Sequence, residues 1–283
     1  MGIRMDIKLS VFYDHIAEAA LQEKEPIERI AELVSSYGIT GVEIENTRLM
    51  RERETVFKIL DSAGLSVSCM YGFFDFAHEN SIQRGLAMVD LAEELQIKKI
   101  MPIPGFLRRY EFLPGIYHIQ VNKLVKALRN ICDYAGERNI RVVLEDFDGK
   151  TAPFANARQL KYFLDQIPEL HCAFDTGNFL YCEEDSYEVL PLFLDKIGHV
   201  HCKDRTFTKK EGETPKPTIK GRDMYSCAVG SGCIKMQEIV KEILAKGYED
   251  YFAIEHFGSL KQLEDMRESA AFLSNLANSA NRG

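Results

Sequence analysis

Short apolar runs rich in valine, isoleucine and phenylalanine recur along the chain, separated by stretches whose apolar residues fall three and four apart. The runs predict eight β-strands: MDIKLSVF (5–12), GVEIE (41–45), LSVSCMYG (65–72), KKIMPIPG (98–105), IRVVLED (140–146), LHCAFDTGN (170–178), IGHVHCKD (197–204) and YFAIEHF (251–257). The stretches between them predict eight helices, among them IERIAELVSSYG, VNKLVKALRNICDYAGERN and YEVLPLFLDKIG. Several of these helices are expected to close on a left-handed residue, at Gly38, Gly64, Asn139, Gly198 and Gly247. Eight strand-then-helix units in order predict parallel pairing, and their number fits a closed (β/α)8 barrel of the α/β class better than an open sheet.

A barrel of this kind uses roughly 250 residues as one domain, so the 283 residues are expected to form a single domain over 1–283. No Gly-, Pro- or Ser-rich linker divides them. The main departure from the alternation is residues 205–232, polar, lysine-rich and marked by Pro215 and Pro217. A long loop after the seventh strand is expected to act as a substrate-side lid. Its GSG (230–232) has the form of a phosphate-cradling turn, although a glycine turn leading into the next helix accounts for it equally well.

Composition narrows the class of function. Apolar residues make up 46% and charged residues 28%, enough for a sizeable core. A formal charge of -8 opposes binding to nucleic acid or anionic lipid, which attract a positive field. The N-terminus MGIRMDIKLSVFYD lacks the apolar run of a signal peptide, and no segment approaches the ~20 apolar residues of a membrane span. The seven cysteines are scattered and form no CxxC pair, as expected of reduced thiols in a cytoplasmic protein.

Barrel chemistry collects at the carboxyl ends of the strands, and side chains alternate along each strand. Val143 and Glu145 then share a face, as do Ala173 and Asp175, His199 and His201, and Ala253 and Glu255. The opposite faces carry apolar or thiol side chains suited to the outer helices. Four consecutive strands therefore direct Glu145, Asp175, His201 and Glu255 into one cavity mouth. Three carboxylates without a cation would repel one another toward protonation, and a divalent metal removes that penalty. Carboxylate oxygens with one imidazole suit Mn²⁺ first, with Mg²⁺, Co²⁺ or Zn²⁺ as alternatives. Each residue alone has a plainer explanation; Asp175, for example, fits a helix cap equally well.

With VVLEDFDG, CAFDTGN, HVHCKD, AVGSGCI, KGYEDYFAIEH and the early GITGVEIE, the chain resembles the xylose isomerase-like superfamily of TIM barrels, the sugar phosphate isomerase/epimerase group. The resemblance implies that Glu145, Asp175, His201 and Glu255 hold the metal, and that Glu145 and Glu255 also exchange protons with substrate. It implies an isomerase or epimerase of a sugar, sugar phosphate or related ketone working through an enediolate. The alternatives are a dehydratase of an inosose-like or dehydroshikimate-like ketone, a non-catalytic sugar-binding barrel, or an apurinic endonuclease-like hydrolase. The last is disfavoured because Asn178 stands where those nucleases carry a histidine and residues 205–232 contain none.

Asn178, Lys203 and Arg222 are the candidate substrate contacts, and Lys203 could equally pair with Glu255 or Asp175. Arg108 and Arg109 are weaker candidates, Glu43 and Glu45 are expected to line the cavity, and His78 and His256 are weaker still, His256 pointing away from the mouth. Expected partners are a small carbohydrate, possibly phosphorylated, with no nucleic acid or membrane. The Tyr- and Phe-containing outer helices permit a homo-oligomer.

Overall fold

The computed structural model describes residues 7–79 and 81–280, so Met5 and Asp6 of the first predicted strand lie outside the described residues. Eight parallel strands form the ring: β1 (Lys8–Phe12), β2 (Ile39–Glu45), β3 (Ser66–Phe73), β4 (Lys99–Ile103), β5 (Arg141–Leu144), β6 (His171–Asp175), β7 (Ile197–Thr206) and β10 (Tyr251–Glu255). Each pairs with the next in chain order. Pairing of β10 with both β7 and β1 closes the barrel, with Ala253 opposite His201 on one side and Ser10 on the other. The helix-facing side chains Val142, Leu144, Phe174, Val200, Phe252 and Ile254 are all buried, each contributing about 1.5–3 kcal/mol of hydrophobic stabilisation.

The outer layer contains α1 (Tyr13–Glu23), α2 (Ile27–Ser36), α3 (Asn46–Ala63), α4 (Ile82–Glu94), α5 (Pro114–Gly136), α6 (Ala157–Gln166), α7 (Ser186–Val189), α8 (Met236–Ala245) and α9 (Gln262–Ala280). No helix among the described residues is long and apolar enough to cross a membrane. Gly38, Gly64, Asn139 and Gly247 have the expected positive φ, at 88, 68, 55 and 87°.

Three local expectations change. First, α1 follows β1 with no intervening turn, so the first strand is followed by two helices. Second, the predicted helix over YEVLPLFLDKIG shortens to α7 and two 3-10 turns, at Leu190–Leu192 and Leu194–Lys196. Pro191 accounts for the break, since it donates no N–H and its ring crowds the preceding turn. Third, Gly198 lies within β7 and ends no helix; a Cβ there would come 2.7 Å from that of His171, so glycine permits β7 to lie close against β6.

Residues 205–232 are partly regular. Beyond the barrel rim β7 continues into an antiparallel pair with β9 (Asp223–Cys227), Arg205 lying opposite Ser226, and β9 in turn pairs with the two-residue β8 (Lys216–Pro217). Thr214, Pro215 and Lys216 of this small flap line the cavity at the mouth.

Two rim loops are joined by His78. Its Nδ1 lies 2.6 Å from Asp75 Oδ1 and its Nε2 2.8 Å from Glu111 Oε2. Glu111 also accepts the Arg108 backbone N–H at 2.7 Å. Burial alone would lower the His78 pKa, but the hydrogen bonds to Glu111 and Asp75 outweigh it and raise the value; the bonds from Arg108, His78 and Gln120 likewise overcome burial and lower that of Glu111. A raised histidine stabilises the fold below its unfolded pKa near 6.5 and ceases to as pH rises through the folded value. A depressed carboxylate stabilises above about 4.3 and ceases to as pH falls. The contact should therefore be strongest near pH 5.5. Urea unfolding at pH 5.5 and pH 9 should show a His78→Ala penalty that is larger at the lower pH; equal penalties would mean that charge plays no part.

Candidate metal centre and cavity

Glu145 follows the last residue of β5, Asp175 ends β6, His201 lies within β7 and Glu255 ends β10. Strand pairing fixes their heights: Asp175 sits opposite His201, and Glu255 opposite Lys203. All four are buried, and one ligand atom from each lies within 4.8 Å of the others. His201 Nδ1 is 2.9 Å from Glu145 Oε2, 3.4 Å from Glu255 Oε2 and 3.9 Å from Asp175 Oδ2.

Asp175 uses both of its carboxylate oxygens. Its Oδ1 accepts the backbone N–H groups of Gly177 and Asn178 at 2.7 and 2.8 Å, capping the 3-10 turn Asn178–Cys182. Its Oδ2 faces His201 and the Lys203 ammonium, the latter at 3.0 Å. Lys203 also pairs with Glu255 Oε1 at 2.5 Å and donates to Asn178 Oδ1 at 2.7 Å. The Asn178 amide is otherwise engaged, since its Nδ2 donates to the Asp146 carbonyl at 2.8 Å. Asn178 therefore fixes Lys203 and keeps only one N–H for anything else.

Charge state follows from burial and neighbours. Burial pushes the Glu255 carboxyl up to about 8 despite the pull of Lys203, and it also raises Glu145. Lys203 and His201 overcome burial at Asp175 and hold it below the usual carboxylate range. His201 is held well above the usual imidazole value because Glu43 and Glu145 outweigh burial. Asp175 and Glu145 add to the burial that raises Glu255, as expected of a donor set that suits a cation. Three carboxylates and one imidazole nitrogen on rigid strand ends fit Mn²⁺, Mg²⁺ or Zn²⁺.

A polar chain, buried except at Asp250, lies beneath this group. Asp250 Oδ2 pairs with Lys99 Nζ at 2.9 Å, Lys99 Nζ lies 2.8 Å from His199 Nδ1, and His199 Nε2 lies 2.5 Å from Glu43 Oε1. Glu43 Oε2 then approaches His201 Nε2 at 3.4 Å. The Glu43 charge thus faces the Nε2 side of His201 without a hydrogen bond, while Nδ1 is directed at Glu145. Glu43, Cys69 and His199 also converge, but Lys99 already supplies positive charge there, and burial and Glu43 keep the Cys69 thiol protonated. Partners of metal-binding histidines typically change metal affinity about 10–100-fold. Glu43→Gln is expected to weaken Mn²⁺ binding by that factor in calorimetry; unchanged affinity would remove Glu43 from any orienting role.

Above the group opens a cavity of about 580 Å³, walled by Phe12, Tyr71, Phe73, Phe147 and Phe257 and closed on one side by Thr214, Pro215 and Lys216 of the flap. Glu45, Glu145, Asn178, Lys203 and Glu255 reach it. Arg222 does not. Its Nε donates to Glu183 Oε1 at 3.1 Å, and its guanidinium covers the Phe207 ring at 4.3 Å. Arg108 and Arg109 are exposed outside the cavity, the largely buried His78 staple also lies outside it, and His256 packs away from the mouth against His15, ring centroids 4.7 Å apart. The GSG turn is already filled: Gly230 and Gly232 donate to Asp204 Oδ2 at 2.9 and 3.0 Å, so the anion it cradles is the protein's own carboxylate.

Several cavity residues carry no marking in the sequence pattern. Asp14, on the unforeseen α1, accepts from Tyr71 Oη at 2.7 Å and pairs with Arg48 at 3.1 Å. Arg205, Asp148 and Lys216 meet across the wall, from a strand extension, a loop and the flap. No local periodicity signals such a meeting; only the cluster of charges around HVHCKDR hints at Arg205.

Fold and site together define a (β/α)8 barrel with a buried carboxylate–imidazole group at its open mouth. The profile of the family described as xylose isomerase-like TIM barrel matches residues 31–276, and the chain belongs to that family. Among curated proteins it is similar to an inosose dehydratase of Clostridium botulinum, 23% identical over 77% of this chain and 78% of the relative. It is also similar to an inosose dehydratase of Clostridium perfringens, 27% identical over 47% of this chain, and there it spans about half the relative's length, 46%. Among solved structures, an L-ribulose 3-epimerase superposes with a TM-score of 0.73 at 16% identity, over 98% of this chain and 96% of the other. The probable 3-DHS dehydratase AsbF of Bacillus anthracis superposes at 0.72 and 17% identity, over 95% and 99%. At these identities the structural likeness concerns the fold.

Proposed function

We propose that the protein is a divalent-metal-dependent enzyme, Mn²⁺ being the preferred ion, that isomerises or epimerises a sugar, sugar phosphate or related ketone through an enediolate. The observation that carries this reading is the approach of two buried glutamates, Glu145 and Glu255, to one imidazole nitrogen at 2.9 and 3.4 Å. A cation held by Glu145, Asp175, His201 and Glu255 would polarise a ketone oxygen and stabilise the negative charge left when a neighbouring carbon loses its proton. One glutamate takes that proton, and the other supplies one. Return to the opposite face inverts a centre, and return to the adjacent carbon moves the carbonyl. Lys203, held in place by Asp175, Glu255 and Asn178, presents positive charge to a substrate oxygen. The aromatic wall excludes water, which strengthens these interactions.

The activity named for the curated relatives favours a second reading, dehydration, in which the same enolate expels a β-hydroxyl. Ketoses, their phosphates and inososes should be screened with Mn²⁺ in D₂O by proton NMR. Deuterium at a carbon beside the carbonyl, without loss of water, is the result expected for the first reading. An unsaturated product selects the second. Neither outcome from any substrate would sink both.

A further inference from the structure

One wall of the cavity takes no part in the proposed chemistry. Arg205 lines the cavity at 6% exposure, yet among the described residues its side chain makes a single ion pair, Nη2 to Asp148 Oδ2 at 3.2 Å. Its Nε is buried and has no hydrogen-bond partner among the described residues. A guanidinium has five N–H donors in a fixed fork, and a buried one normally finds partners for most of them. Lys216, carried over the mouth by the flap, meets the other oxygen of the same carboxylate, Asp148 Oδ1, at 3.1 Å. Two cations thus share one carboxylate, and one positive charge is left over on this wall.

We propose that Arg205 and Lys216 form a subsite for an anionic group of the substrate, a carboxylate or a phosphate monoester, in the cavity where the ketone is transformed. The inference rests on the reading that the cavity binds a substrate, and it adds that this substrate carries an oxyanion. The planar fork of Arg205 matches the two oxygens of a carboxylate or phosphate, while Lys216 adds a point charge. Asp148 holds both cations in place before the ligand arrives. Because Arg205 pairs with Ser226 across the β7–β9 ladder and Lys216 pairs with Met224 across β8–β9, both are mounted on backbone that is itself hydrogen-bonded. An anion bridging them would also tie the flap to the barrel rim.

The test uses metal-free full-length protein, so that neither a bound cation nor turnover contributes. Inorganic phosphate, acetate and the neutral polyol myo-inositol are titrated separately by calorimetry. Saturable binding of phosphate or acetate, but not of the polyol, is expected, and the tighter of the two identifies the type of oxyanion. Arg205→Gln should weaken it by about tenfold or more, the size expected for losing a charge-assisted hydrogen bond. Arg205→Lys should fall between the two. Lys216→Gln, half exposed and so a safe substitution for folding, should weaken binding about threefold, in line with a single less buried contact. Wild-type protein that binds neither anion overturns the proposal, as does binding that both glutamine variants retain unchanged. If the anion binds as expected while the D₂O screen fails, the subsite stands and the proposed chemistry falls; the reverse pattern separates them the other way.

Discussion

Replacing Glu145 with glutamine is expected to lower turnover by about 10²- to 10⁴-fold, the range typical of a lost general base. The substitution keeps the shape and a group able to meet His201 Nδ1, now 2.9 Å from Glu145 Oε2, but removes the negative charge that accepts a proton. Folding should not suffer. Burial raises the Glu145 pKa, so at neutral pH its charged form is less favourable in the folded chain than in the unfolded one. A carboxyl with a raised folded value lowers stability progressively as pH rises above its unfolded value near 4.3. Glutamine relieves that cost, and the variant should melt at or above the wild-type temperature in the absence of metal. Initial rates under saturating Mn²⁺, paired with thermal melts, check both halves. Wild-type turnover in Glu145→Gln would refute the proton-transfer role.

The second large effect is expected from the cation. Chelation should abolish turnover, and Mn²⁺ at about 100 times its Kd should stabilise the fold by about 2.7 kcal/mol. For a chain of this size that corresponds to a rise in Tm of roughly 4–5 °C. The reason lies in the site: among the described residues, Glu145, Asp175 and Glu255 share one buried pocket with Lys203 and His201 as their only close cations. Removing one donor with Asp175→Asn should shrink the shift while leaving the Oδ1 cap of the following turn available. A melting temperature indifferent to Mn²⁺, Mg²⁺ and Zn²⁺ at millimolar concentration would refute the metal assignment.

Much of this centre is legible in the sequence because strand geometry leaves little freedom. Alternation along a strand puts Ala173 with Asp175 and His199 with His201, and parallel pairing puts the ends of successive strands at one mouth. Glu145, Asp175, His201 and Glu255 are thus brought together as the pattern implies. Where the pattern falls short, the cause is either a missing boundary signal or a long-range contact. Nothing between Phe12 and Tyr13 separates β1 from α1, so Asp14 passes unnoticed. Pro191 weighs less in a count of apolar spacings than it does in the backbone, and the helix over YEVLPLFLDKIG is overestimated. Arg222 and Arg205 look alike in a polar loop; only the ladder between β7 and β9 decides that Arg205 faces the cavity while Arg222 turns to Glu183. Lys203, by contrast, could be weighed from alternation alone, and both its anticipated partners are present.

The polar chain from Asp250 through Lys99, His199 and Glu43 to His201 has a consequence for anyone modifying this barrel. In most barrels the closed end can be redesigned for thermostability without concern for the chemistry at the other end. Here a substitution at Asp250, which precedes the first residue of β10, would loosen Lys99 and pass through His199 and Glu43 to a 3.4 Å charge contact with the imidazole at the open mouth. The floor and the workbench of this molecule are bolted to the same post.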